Sequence, residues 1–398
     1  MERELPSFDR AQAVVLEAVE PLGGERVPIH AAARRFLAED AVAAVDLPPF
    51  ASSAMDGYAV RSADLPGRLE VVAEAAAGSP ASRPVASGEA IAISTGGVVP
   101  EGADAVVPVE YVVVNGNWIE VAEGVQQGAH VRAAGSDVLC GDVVGRRGHR
   151  LTPARVGALG AAGVVDVPCG RRPTVAVIAT GSELVTPGDD LRPGAVYEAN
   201  TAMLAGAAED AGATVQQLGP VPDSADEHRS ALSRGLEADV LVTSGGVSVG
   251  RHDLVRRIEA ELGVEERFWG VAVKPGKPVT FGVRGRTLVF GLPGNPVSAL
   301  VGFELFVRPA LLALQGADKP LPRWLPGRLA IAVRRNAGRD QLIRARTQTD
   351  GDEVVVSPLQ GQDSHMIARA GAADALALVP RGTGDVQEGS AIRYLQLL

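Results

Sequence analysis

Short unbroken apolar runs alternate with helical repeats through the middle of the chain. The runs fall at 174–179, 214–218, 240–243, 268–273, 279–283 and 288–290. Helical patterns cover 200–211, 223–236, 252–262 and 295–314. Strands that are apolar on both faces and alternate with helices predict a mostly parallel sheet covered on each side. Asn200 and Asp223 stand where helix N-caps are expected. Pro309 predicts a kink in the last helix.

The flanks read differently. An amphipathic helix over 8–20 precedes an extended piece at 25–30 and a second helix over 31–39. Between 69 and 137 the pattern is short strands and turns, with the hairpin signal Asn115-Gly116-Asn117. Residues 138–170 are Gly-rich and partly helical, and are expected to pair with 21–45. Pro320, Pro322 and Pro326 mark a linker, beyond which strands return at 328–333, 341–347, 353–356, 375–379 and 391–396. Asp350-Gly351 is a further hairpin signal. Four domains are therefore expected: 1–45 with 138–170 (a linker-like α+β unit), 46–137 (an inserted β domain), 171–318 (α/β), and 319–398 (a β-barrel-like domain).

Composition narrows the classes. The chain has 398 residues and a formal net charge of −10, which argues against a nucleic-acid partner. No 18-residue apolar stretch lacks charge, Gly or Pro, so no membrane span is expected. The charged N-terminus is not a signal peptide, and Cys140 and Cys169 have no metal-type spacing, which points to the cytoplasm. Of 38 basic residues only Lys274, Lys277 and Lys319 are lysines. Two of them share Lys274-Pro275-Gly276-Lys277-Pro278, so that loop is expected to need a compact ammonium rather than a guanidinium.

In an open parallel sheet, ligands sit beyond the carboxyl ends of the strands. The loops expected there are Thr180-Gly181-Ser182-Glu183, Gly219 to Asp223, Thr243-Ser244-Gly245-Gly246-Val247-Ser248-Val249-Gly250 leading to Asp253, the lysine loop, and Leu292-Pro293-Gly294-Asn295-Pro296-Val297-Ser298. Glycine turns before helices suit an anion, although neither G-x-G-x-x-G nor G-x-x-x-x-G-K-[ST] occurs. A carboxylate and a phosphate 4 Å apart repel by about 4 kcal/mol near a protein surface. Acids at 183, 223 and 253 beside an anion therefore call for an intervening cation, and oxygen ligands suit Mg²⁺. The residues alone point to a Mg²⁺-assisted enzyme acting on a phosphorylated or pyrophosphate-bearing small molecule.

Taken together, Ser53-Ala54-Met55-Asp56-Gly57-Tyr58-Ala59-Val60-Arg61, the 243–250 loop, the lysine loop and 292–298 resemble the molybdopterin molybdenumtransferase family, which includes bacterial MoeA and the gephyrin E domain. The resemblance runs over essentially the whole chain. It implies an α/β sandwich of the molybdopterin-binding type, insertion of molybdate into adenylated molybdopterin with release of AMP, and dependence on Mg²⁺. It also implies a homodimer with the active site shared between subunits, supplied by a separate molybdopterin adenylyltransferase. On this resemblance Asp56, Thr95, Asp137, Glu183, Asp223, Asp253, Lys274, Pro293, Pro296 and Ser364 fall on functional positions. Asp56, Glu183, Asp223, Asp253, Lys274 and Lys277 form the expected catalytic set, with Glu183, Asp223 and Asp253 on the metal. Thr180, Gly181, Ser244 to Ser248, and Pro293 to Pro296 join Thr95, Asp137 and Ser364 as substrate contacts. Some members carry a further lysine where this chain has Gly270. The competing readings are an adenylyltransferase of the same fold, a gephyrin-like scaffold, and a paralogue using tungstate.

Overall fold

The computed structural model describes residues 5–246 and 254–397. Its centre is a six-stranded sheet. In chain order the strands are β1 (Thr174–Ala179), β2 (Thr214–Gln217), β3 (Val240–Ser244), β4 (Glu265–Trp269), β5 (Thr280–Arg284) and β6 (Thr287–Leu292), and their spatial order is β2-β1-β3-β6-β5-β4. The first four of that order are mutually parallel, while β5 runs antiparallel to both β6 and β4. The sheet is mostly parallel, with one reversed strand created by the short hairpin between β5 and β6.

Alternation along each strand sends apolar side chains to two cores. Val175 and Val177 of β1 pack on the same side as Val240, Val242 and Phe290, beneath the helices Asn200–Asp210 and Phe8–Glu17. Ala176 and Ile178 face the other core with Leu241 and Val289, under Ala225–Gly235 and Leu254–Glu261. A strand apolar on both faces is thereby explained by burial on both faces.

The segment Pro296–Leu314 is a single buried rod: α-helix, a π-helical turn over Phe303–Val307, then α-helix again. Pro309 was expected to kink it, and the irregularity found there is the π turn, which ends two residues before the proline. Pro309 has no N–H for the carbonyl of Leu305, and the buried Gln12 side chain donates to that oxygen at 2.8 Å. The rod is 19 residues long with a mean hydropathy of 1.8, long and apolar enough by length and composition to cross a bilayer, although, as expected, it is interrupted by Gly302, Glu304, Arg308 and Pro309. Of that window 78% is buried inside the protein, which marks a core helix.

Gly24–Pro28 pairs antiparallel with Asp166–Gly170, and Ala41–Val42 with Val143–Gly145, around a small core of Leu37, Leu151, Leu159 and Val167. The helix expected at 31–39 is absent. A single 3-10 turn, Ile29–Ala31, is followed by chain in which Arg34 has positive φ and Phe36 and Leu37 bridge to Arg150 and Cys169. Tertiary pairing outweighs the local propensity of its alanines.

The chain between these pairings forms a curled six-stranded sheet, ordered Ala105–Pro108, Gly57–Val60, Glu89–Ile93, Gly67–Ala75, Trp118–Val121, Val112–Asn115. At the C-terminus Asp340–Asp350, Glu353–Pro358, Trp324–Leu329, Ala391–Gln396 and Ala375–Val379 close into a five-stranded barrel, because the first of these also pairs with the last. Barrel residues Leu342, Leu376 and Leu378 pack into the central core, whereas Ile343, Ala377 and Val379 fill the barrel.

Candidate active site

One register row crosses the central sheet: Ile178, Thr243, Gly291, Thr280 and Trp269 are successive partners. Just beyond it, the chain leaves the carboxyl ends of β1, β3, β6 and β4. The loops around Glu183, Gly245, Gly294 and Lys274 therefore share one rim. Expecting strand over 268–273 was wrong in register. The strand ends at Trp269, and Val273–Lys274 pairs instead with Asp340 and Gln341 of the barrel.

The acids gather at the β1 and β2 ends. Ser182 and Asp223 clasp each other: Ser182 N–H donates to Asp223 Oδ2 at 3.1 Å, and Asp223 N–H donates to Ser182 Oγ at 3.0 Å. Asp223 is thus not a helix cap; Ser224 holds that position. Glu183 is exposed, and its carboxylate lies over Gly181, where an added Cβ would sit 2.5 Å from Oε2. Neither acid has an ion-pair partner among the described residues, nor does Lys274 or Lys277. Both lysines are exposed, and Gly276 between them lies against the Ser298 carbonyl, 3.5 Å from an ideal Cβ.

The glycine turns meet at backbone distance. Gly245 has φ +100°, and a Cβ there would stand 2.6 Å from the Thr180 carbonyl oxygen. A Cβ at Gly294 would be 3.7 Å from Gly245 Cα. Thr180 N–H donates to Ser244 O at 3.0 Å, and Gly245 N–H to Leu292 O at 3.0 Å. Thr180, Gly181, Ser244, Gly245, Gly246, Pro293 and Gly294 are consequently one contiguous cluster, exposed at Gly246 and Gly294. Asn295 and Pro296 begin the buried rod, where Val297 N–H donates to the carbonyl of Ser364 at 3.1 Å. Ser364, from the barrel, reaches the rim through its backbone. Its loop is held by the buried Arg344, which donates to Gly361 O at 2.6 Å and Asp363 O at 3.1 Å. Burial pulls the Arg344 guanidinium below its usual pKa.

Sequence reasoning placed Asn200 as a helix cap. Glu198 does that work, accepting from Asn200 N–H at 2.7 Å and Thr201 N–H at 2.9 Å. The Asn200 side chain turns to the rim. Its signal was hidden because asparagine at a helix start reads as a cap whichever way it points.

Asp56 and Thr95 form a separate pair on the curled sheet. Thr95 donates its N–H at 2.7 Å and its hydroxyl at 3.0 Å to Asp56 Oδ1. These bonds, the backbone one foremost, hold the exposed carboxyl below its usual pKa. Gly57 is forced by its neighbour, since a Cβ would lie 2.0 Å from the Val107 carbonyl oxygen. Asp137 is exposed, anchored through its N–H to Leu47 O at 2.9 Å. No hydrogen bond joins Asp56, Thr95 or Asp137 to the central rim among the described residues. Asp253, Val247 and Ser248 lie outside the described residues.

Among the described residues no three His, Cys, Asp or Glu side chains gather as a metal cage. Mg²⁺ needs only one or two carboxylates when substrate phosphates and water complete its shell, and Glu183 with Asp223 offers that set.

Comparison with known proteins fixes the family. The region described as "MoeA N-terminal region (domain I and II)" matches residues 6–163, "Probable molybdopterin binding domain" matches 176–313, and "MoeA C-terminal region (domain IV)" matches 326–397. A Haemophilus influenzae protein named molybdopterin molybdenumtransferase is 34% identical over 393 residues, covering 97% of each chain. The chain belongs to the MoeA family. A Bacillus subtilis protein of the same name is 33% identical, covering 93% of this chain and 89% of its own. The crystal structure of a Pyrococcus horikoshii MoeA protein superposes with a TM-score of 0.85 at 30% identity, covering 99% of this chain and 100% of that one. Gly270, where the resemblance implied a lysine in some members, has φ +80°, and an added Cβ would stand 2.7 Å from Leu5 Cδ2, a backbone that a side chain strains.

Proposed function

We propose that this MoeA-family protein inserts molybdate into adenylated molybdopterin and releases AMP, completing molybdenum cofactor synthesis. The observation that carries the reading is the rim itself: two acids and two lysines without an ion-pair partner among the described residues share the carboxyl edge of one sheet with two glycine turns. Lys274 and Lys277 would take the substrate's anionic oxygens as compact ammoniums. Thr180, Gly181, Ser244 to Ser248, and Pro293 to Pro296 would line the substrate, with Ser364 at its edge. Glu183 and Asp223, joined by Asp253, would hold Mg²⁺. When bound, the ion would offset charge between these carboxylates and the substrate's phosphates and would supply Lewis-acid polarisation.

Asp56, Thr95 and Asp137 would complete the site from a second copy in a homodimer, since among the described residues no hydrogen bond draws them to the rim of their own chain. Val42 and Val143, cross-strand neighbours 48% and 47% exposed, and Val165, 78% exposed, offer an apolar face for such pairing. A separate adenylyltransferase would supply the adenylated pterin. The free thiols Cys140 and Cys169 suit a reducing cytoplasm.

The test is AMP release from adenylated molybdopterin by the purified protein. Release requiring both molybdate and Mg²⁺ is expected. Adenylation of molybdopterin from ATP would replace this reading with an adenylyltransferase, and tight binding without turnover would replace it with a scaffold.

A further inference from the structure

Asn200 opens the helix Asn200–Asp210 and is only 7% exposed. Its carboxamide lies between two strand-end turns, donating to Ser244 Oγ at 2.8 Å and to Gly294 O at 2.8 Å. A carbonyl only accepts, so the group facing Gly294 is the NH₂ and the orientation of the amide is settled. Ser244 passes the connection on, its hydroxyl reaching Pro293 O at 3.4 Å. The other end of the amide, Oδ1, is buried without a hydrogen-bond partner among the described residues. Buried polar atoms are nearly always paired, so a carboxamide kept there at the expense of its own oxygen is held for what its N–H groups do.

We propose that Asn200 is a positioning residue, a clasp that sets the Ser244–Gly245–Gly246 turn and the Pro293–Gly294 turn at one spacing. The inference rests on the reading that this rim binds the adenylated pterin. Gly245, Gly246 and Gly294 have no side chains with which to fix themselves. The backbone bond from Gly245 N–H to Leu292 O is one join between the turns, and Asn200 adds a second, from Ser244 to Gly294. Without the clasp, a substrate spanning both turns must order them as it binds, which lowers affinity. Groups that act on the breaking bond keep their places, so turnover of bound substrate changes less.

The test uses the full chain with Asn200→Ala, Ser244→Ala and the double variant. Without ligand, Asn200→Ala is expected to speed hydrogen exchange at the Gly245 amide by about tenfold, the scale of one lost buried hydrogen bond, leaving barrel amides unchanged. With adenylated molybdopterin, KM is expected to rise by about tenfold while kcat moves less than about threefold. Ser244→Ala should have the smaller effect, and the double variant should match Asn200→Ala alone, because the two side chains form one chain of bonds. Asn200→Ser, which keeps one donor, should fall between, and it serves if the alanine variant does not fold. Unaltered Gly245 exchange, or a loss confined to kcat with unchanged KM, would overturn the clasp. Faster exchange in a protein whose unaltered form does not turn over adenylated molybdopterin would keep the clasp and remove the functional reading beneath it.

Discussion

Replacing Gly245 by alanine should damage the central domain far more than the same change at Gly294, 49 residues away but in backbone contact. Gly245 has φ +100°, a region that costs a non-glycine residue about 1–3 kcal/mol. Its new methyl would also stand 2.6 Å from Thr180 O and 2.9 Å from Thr180 Oγ1, with backbone on one side and a buried side chain on the other. Overpacking of that kind adds about 1–3 kcal/mol, giving about 2–6 kcal/mol together. At Gly294 the φ is ordinary and the methyl would meet Gly245 Cα at 3.7 Å, a normal contact. Gly294→Ala should fall within about 0.5 kcal/mol of the parent. Tryptophan placement allows the measurement to be made on the right domain: Trp118 lies in the curled sheet, Trp269 in the central sheet and Trp324 in the barrel. In a background with Trp118→Phe and Trp324→Phe, urea unfolding followed by the remaining fluorescence reports on the sheet that carries the rim. Equal midpoints for the two alanine variants, or a Gly245→Ala loss under about 1 kcal/mol, would refute the argument from close approach.

Three further outcomes follow from single contacts. Thr95→Val removes the hydroxyl donor to Asp56, so the Asp56 pKa, now below the usual carboxylate value, should rise towards it. A depressed carboxyl contributes stability above its unfolded pKa and loses it as pH falls through the folded value, so the variant should lose this contribution at higher pH; carboxyl NMR titration checks it, and an unmoved titration refutes it. Gln12→Leu leaves the Leu305 carbonyl without its side-chain donor and should cost about 1–3 kcal/mol in thermal unfolding, part of which Pro309→Ala in the same chain restores by supplying an N–H. Gln362→Leu removes the N–H groups that hold Arg344 O at 2.9 Å and Leu359 O at 2.8 Å. With the Ser364 loop loosened, the Val297 amide should exchange about tenfold faster, and unchanged exchange would show that Arg344 alone suffices.

What was legible in the residues was whatever one local rule decides. Strands buried on both faces announce themselves as unbroken apolar runs, and β1, β3 and β6 lie within one or two residues of where the runs stand. The turns at Gly116 and Gly351 close hairpins in which Asn115 faces Trp118 and Asp350 faces Glu353. The failures are places where a distant partner overrules the local rule. Residues 31–39 have helical propensity, yet Leu37 bridges Cys169 and Arg35 reaches the carbonyl of Gly170 at 2.8 Å, contacts made across more than 130 residues. The β5–β6 hairpin reverses a strand that periodicity alone reads like its neighbours.

The lysine loop shows most clearly why the site was only partly readable. Its two lysines stand out by residue type in a chain that otherwise uses arginine, but their placement depends on a pairing no local pattern reveals. Val273 and Lys274 join the barrel by pairing in parallel with Asp340 and Gln341, while Gly270 N–H donates to Val279 O at 2.8 Å within the loop itself. The ammonium groups are therefore carried between the central sheet and the barrel, and any change in how the barrel sits on Leu342, Leu376 and Leu378 moves them relative to Glu183 and Asp223. Truncating that contact with Leu376→Ala removes buried volume about 2–5 kcal/mol in worth. If the barrel sets the ammonium positions, the surviving folded protein should lose affinity for the substrate's anionic part more than it loses turnover. An equal fall in both, or no kinetic change in a folded variant, would show that the loop holds its lysines without the barrel's help.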